Sequence, residues 1–151
     1  MHYSPLIAPV VALVAWTVIV MLWMFVSRFG AFRKAGITLG NAPQGGRGVD
    51  LEGKVDASAQ WKSHNYNHLM EQPTIFYAIV LALAMMGMNH PINVALAWGY
   101  VGFRVVHSIV QATVNRISIR FPLFALASLC LIGLTVHAAA RIIHDCGWLN
   151  G

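Results

Sequence analysis

Two stretches without a single Asp, Glu, Lys or Arg, residues 5–26 and 121–140, constrain this chain more than any other feature of it. An α-helix rises about 1.5 Å per residue and the hydrocarbon of a bilayer is about 30 Å thick, so roughly 20 such residues make one crossing. Two further segments approach that length. Residues 72–88 follow a polar stretch that can extend them as helix, and residues 91–113 are interrupted by Arg104 and His107. The expected fold is therefore all-α, one membrane domain with spans near 5–28, 59–88, 91–114 and 120–143, packed up-down-up-down. Only 10% of the residues are charged, against about 25% in soluble domains, which leaves too little polar surface to clothe a water-soluble particle.

The N-terminal run lacks a basic leader and exceeds the length of a signal-peptide core, so it is expected to be retained as a span. Arg28, Arg33, Lys34, Arg47, Lys54 and Lys62 fall between the first two spans, and Arg116 and Arg120 between the last two. The positive-inside rule then puts both basic loops in the cytoplasm and both termini outside, in the plasma membrane if the source is bacterial. The net charge of +5 reads as a topology signal, helped by anionic lipid, and not as a nucleic-acid footprint. The 29–58 loop carries Asn41, Pro43, Gly45, Gly46 and Gly48 and is expected to be an irregular connector. Cys130 and Cys146 lie at different depths, so no disulfide is expected. Ala8 with Ala12, Ala78 with Ala82, and Ala95 with Gly99 offer small residues at the spacing that lets membrane helices approach closely.

An ionisable side chain inside a span is costly unless it faces protein or water, which makes it a functional candidate. Tyr100, Arg104, His107, Gln111 and Asn115 recur at spacings of three and four and form one polar stripe on the third span. His64, Asn67, His68 and Glu71 form a second on the stretch entering the second span. At the helical rise, Glu71 lies about 27 Å and Arg104 about 20 Å below the external turn, within reach of a long side chain, so an ion pair between them is expected. Pro73 has no N–H and frees the carbonyl of Leu69 beside Glu71. With Arg116 and Arg120 at the same end, the expectation is a cationic, cytoplasm-facing pocket containing one carboxylate. His64, His68 and Glu71 also have the spacing of metal ligands on one helical face, but no second cluster faces them and no metal site is expected.

The run N-H-L-M-E-Q-P at residues 67–73, R-V-V-H at 104–107, and Arg116 and Arg120 before a fourth span together resemble the MAPEG family, membrane-associated proteins of eicosanoid and glutathione metabolism. The resemblance covers essentially the whole chain. It implies a homotrimer with glutathione between adjacent subunits near the cytoplasmic side, where the thiol meets a lipophilic electrophile from the bilayer. It also implies a pocket in which Glu71, Arg104, His107 and Arg116, with Asn67 and His68, hold the tripeptide. Arg120 matches the catalytic arginine near the thiol. Two carboxylates, an ammonium and a thiol suit two arginines, a glutamate and a nearby cation. The chain departs from the pattern at His68, where glutathione-binding members usually carry Asn. It departs again at Gln111, where they carry Tyr, and at Phe121 and Phe124, where they carry a hydroxyl. The resemblance therefore implies a glutathione-dependent transferase or peroxidase, with a lipid-binding protein that has lost glutathione as the alternative.

Overall fold

A computed structural model describes residues 3–36, 38, 40, 53 and 55–147. The Gly-rich run at 41–48 lies outside them. Four helices make up the fold: α1 Ile7–Lys34, α2 Ala57–Met85, α3 Pro91–Thr113 and α4 Ile117–Asp145, with no strand among the described residues. α3 packs most extensively on α4, and α1 on α2. α2 and α3 form the middle of the bundle, with α1 and α4 in little mutual contact.

α1, α2 and α4 are long and apolar enough to cross a membrane. α3, 23 residues long, is not apolar enough by that measure, because its polar stripe interrupts the run. Outward-facing Val11, Val14, Val18, Leu22 and Phe25 on α1, and Leu129, Ile132 and Val136 on α4, are the apolar faces that lipid can cover. Leu13, Phe76, Val80, Leu83, Ala97, Tyr100, Ala127 and Leu134 are fully buried between the helices. α1 runs beyond residue 28, where its expected span ends, to Lys34, and Arg28 lies over the Phe32 ring at 5.9 Å.

The expected small-residue pairs are realised in part. Ala8, Ala78 and Ala95 are exposed, whereas Ala97, Ala127 and Ala138 are buried. Close approach of α3 to α4 uses Gly99, one of the expected residues, and Gly133, which was not among them: a Cβ on Gly99 would meet Cys130 Sγ at 3.2 Å, and one on Gly133 would meet Leu96 Cδ1 at 3.1 Å. Small residues matter in a membrane bundle because dispersion contacts, not water exclusion, hold the helices together. Both cysteines are free.

Two left-handed residues set the short links. Gly87 (φ 70°) follows the last turn of α2, and the N–H of Met88 returns to the carbonyl of Leu83 at 2.9 Å. Asn115 (φ 53°) ends α3 in the same way, its N–H on the carbonyl of Val110 at 2.7 Å. Asn is the non-glycine residue that best tolerates this backbone. Pro91 occupies the first turn of α3, behind His90, whose Nδ1 accepts from the N–H of Ile92 at 3.3 Å. α4 begins at Ile117, so Pro122 falls inside it. The carbonyl it frees is that of Ser118, an exposed residue at the helix entrance.

A polar cross-tie joins α1, α2 and α3. Trp16 Nε1 and Asn65 Nδ2 both donate to Ser108 Oγ, at 3.0 and 2.8 Å. In a site closed to water, deleting that oxygen strands two donors. Ser108→Ala is expected to destabilise the bundle by about 1–2 kcal/mol, read from equilibrium unfolding in mixed micelles; a change of a few tenths would mean the tie carries no stability. At the other link, Asn115→Ala is expected to cost about 1 kcal/mol in the same assay and Asn115→Gly much less, because only the former forces an ordinary Cβ into the left-handed region.

Candidate functional site

The third-span stripe is realised nearly as expected. Tyr100, Arg104, His107 and Gln111 are all buried, and Arg104 is 0% exposed. Tyr100 stacks on Phe76 with ring centroids 4.2 Å apart, and its hydroxyl lies 3.4 Å from Gln72 Oε1. Gln72 Nε2 donates to Ser128 Oγ at 2.8 Å, which ties α2 to α4 one turn beyond the arginine.

The expected ion pair between Glu71 and Arg104 is not present. Arg104 Nη2 donates instead to the backbone carbonyl of His68 at 2.7 Å, in the turn that Pro73 disturbs. Its Nε and Nη1 are buried without a partner. Glu71 is exposed, and the reason is helical phase. The buried positions of α2 include Asn65, Leu69, Pro73, Phe76 and Val80, and a residue two places from Leu69 and from Pro73 is rotated by about 200° to the far side. Asn67 shares that outward face and is likewise exposed. The second stripe is thus split: His68 turns toward α3, and Asn67 and Glu71 turn out of the chain.

A cavity of about 290 Å³ opens beside Arg104, lined by His68, His107, Ile117, Arg120, Phe121 and Phe124. The His68 and His107 rings are stacked with centroids 5.0 Å apart and an interplanar angle of 23°. The Phe124 ring stands edge-on to His68 at 5.6 Å. Arg104 lies behind this aromatic layer, its guanidinium carbon 6.0 Å from the centre of Phe124. Arg120 enters from the first turn of α4, with Nη1 donating to Asn115 Oδ1 at 2.5 Å and Nε buried and unpartnered. Asn115 therefore ends α3 and also holds the arginine at the cavity. Among the described residues no carboxylate forms an ion pair with Arg104 or Arg120; the ion pairs are Lys34 with Asp56 and the Arg141, His144 and Asp145 group.

Arg116 is exposed at the N-cap of α4 and does not line the cavity. Of the residues expected at the site, His68, His107 and Arg120 line it, Arg104 lies behind it, and Asn67, Glu71 and Arg116 face outward. Ile117, Phe121 and Phe124 were missed as wall residues, although with Arg120 they recur at helical spacing on one face of α4. Asn65 and Ser108 were also missed; Ser108 stands four residues after Arg104, on the same face. Among the described residues no three His, Cys, Asp or Glu side chains converge as metal ligands.

The arrangement presents positive charge to a partly apolar cavity. In a water-poor site a guanidinium without a counter-ion attracts an anion far more strongly than it does in solution. The family model described as the MAPEG family matches residues 6–140. No curated protein and no solved structure matches the chain. With a helical bundle, three apolar spanning helices and a match over most of its length, the chain is a membrane protein and belongs to the MAPEG family.

Proposed function

We propose that this protein binds glutathione at the cavity between α2, α3 and α4 and presents its thiolate to a lipophilic electrophile, as a transferase or a peroxidase. The single observation that carries the reading is two guanidiniums without a carboxylate partner at one cavity, one of them fully buried with two donors unpaired. Burying an uncompensated charge costs several kcal/mol, a cost the fold tolerates most readily where an anionic ligand offsets it. Arg120 favours the thiolate at the cavity. Arg104 supplies field from behind, and His107 forms part of the wall.

Glu71 fits the same reading through its outward position. It lies one turn from His68, which lines the cavity, and among the described residues it forms no ion pair. A carboxylate and the Asn67 amide exposed on a helix that crosses the membrane call for protein or water to cover them. We infer that a neighbouring copy of the chain covers this face of α2 in a homotrimer. The ligand then lies between subunits, with Glu71 available to its ammonium and Arg116 to a carboxylate at the rim. In this arrangement all four helices cross the bilayer, α3 shielded by its neighbours, with the cavity toward the cytoplasm. Ile117 and Phe121, both strongly exposed, give a lipid-borne electrophile an apolar way in.

Calorimetry of the purified protein in mild detergent is expected to show saturable glutathione binding. Arg120→Ala is expected to weaken that binding or the conjugation rate at least tenfold, the loss of one charge-assisted contact worth about 1.5–3 kcal/mol. No heat at millimolar glutathione, with co-purified lipid that Arg120→Ala leaves in place, would remove this reading in favour of a lipid-binding protein.

A further inference from the structure

We infer that His68 is the proton acceptor of this site: its imidazole takes the proton of the bound thiol and later delivers it to the leaving group. The inference rests on the glutathione reading above and is reached by elimination over the cavity wall. Ile117, Phe121 and Phe124 have no ionisable atom, and no hydroxyl lines the cavity. Arg120 remains protonated and can only donate. Two imidazoles are left. His107 is 3% exposed and lies stacked against His68, whereas His68 is only half-buried. The Nδ1 of His68 is buried without a partner, so Nε2 is the nitrogen presented to a ligand.

The surroundings hold that ring in place without consuming its basic nitrogen. His107 stacks on one face and Phe124 meets it edge-on, so the imidazole is oriented by packing. The backbone carbonyl of His68 itself is tied to Arg104, which fixes the helix at this residue. Charged and titratable groups around the ring are Arg104 and His107 from α3, Arg120 from α4 and Glu71 one turn along α2. The position is also one at which this sequence departs from the pattern it otherwise resembles, His in place of Asn. An amide cannot take up a proton at neutral pH; an imidazole can.

The step balances without any further reagent. The thiol S–H proton passes to Nε2 and leaves an imidazolium beside a thiolate that Arg120 stabilises. The sulfur forms its bond to the electrophilic carbon as the leaving group departs with its electron pair. The imidazolium returns the proton to that group and restores the neutral ring.

The test is thiolate absorbance in the near ultraviolet together with calorimetric binding, on the purified full-length protein with glutathione. His68→Asn and His68→Gln, compared at saturating glutathione so that any change in affinity is taken out, are expected to show at least tenfold less thiolate per bound glutathione at neutral pH. The pH of half-ionisation of the bound thiol should rise accordingly. Full thiolate in both variants overturns the inference and leaves glutathione binding standing; absence of binding by the parent protein overturns both. Should the variants fail to fold, titration of the parent in buffers of different ionisation enthalpy still decides. Thiolate formation without net proton release to the buffer supports His68, and one proton released per thiolate contradicts it.

Discussion

A fully buried arginine whose only hydrogen bond among the described residues runs to a backbone carbonyl governs its half of the bundle. A guanidinium cannot shed its charge, so the protein around it has to be built to tolerate that charge. Tolerance here comes from the His68 carbonyl, one residue before the Leu69 carbonyl that Pro73 frees, and from aromatic faces, Phe124 among them. It does not come from a carboxylate. Among the described residues the positive charge therefore has no carboxylate partner, and it acts on whatever occupies the neighbouring cavity.

Much of the remaining design follows from keeping this charge inside protein. α3 turns its polar stripe inward and its Trp98, Val106 and Ile109 outward, and it sits with α2 in the middle of the bundle. The glycines facing Cys130 and Leu96 let α4 close on α3 from one side. The Trp16, Ser108 and Asn65 tie closes it toward α1 and α2. The link from α3 to α4 is short because Asn115 accepts a left-handed backbone, and the same side chain receives Arg120. Fold and site thus share a residue at the point where the chain reverses.

The architecture was largely legible in the sequence because charge-free length and helical phase are local properties. The α3 stripe was legible for the same reason: each residue's direction follows from its number in one unbroken helix, and Tyr100, Arg104, His107 and Gln111 all turn inward. α2 was read less well. Counting depth placed Glu71 and Arg104 within reach of each other, but depth says nothing of azimuth. The buried face set by Leu69, Pro73 and Phe76 turns Glu71 outward. A run of polar residues as dense as 63–68 has no clear apolar phase marker, so the buried Ser63 and Asn65 were hidden among their neighbours. Phe121 and Phe124 were noted for the hydroxyls they lack, while their position as cavity wall depended on how α4 packs. Small-residue spacing was only partly informative, since Ala8, Ala78 and Ala95 face out while Gly99 meets α4. The motif is too common to select an interface.

The central claim is that uncompensated guanidinium charge at the cavity is there to receive an anionic thiol peptide. An experimental structure of the purified protein in a lipid bilayer, saturated with glutathione, tests it most directly. The account predicts tripeptide density beside Arg120 and His68, with its ammonium toward a Glu71 side chain at a boundary between copies of the chain. Acyl-chain density in that cavity, or a Glu71 face packed against hydrocarbon with no neighbouring subunit, would contradict it.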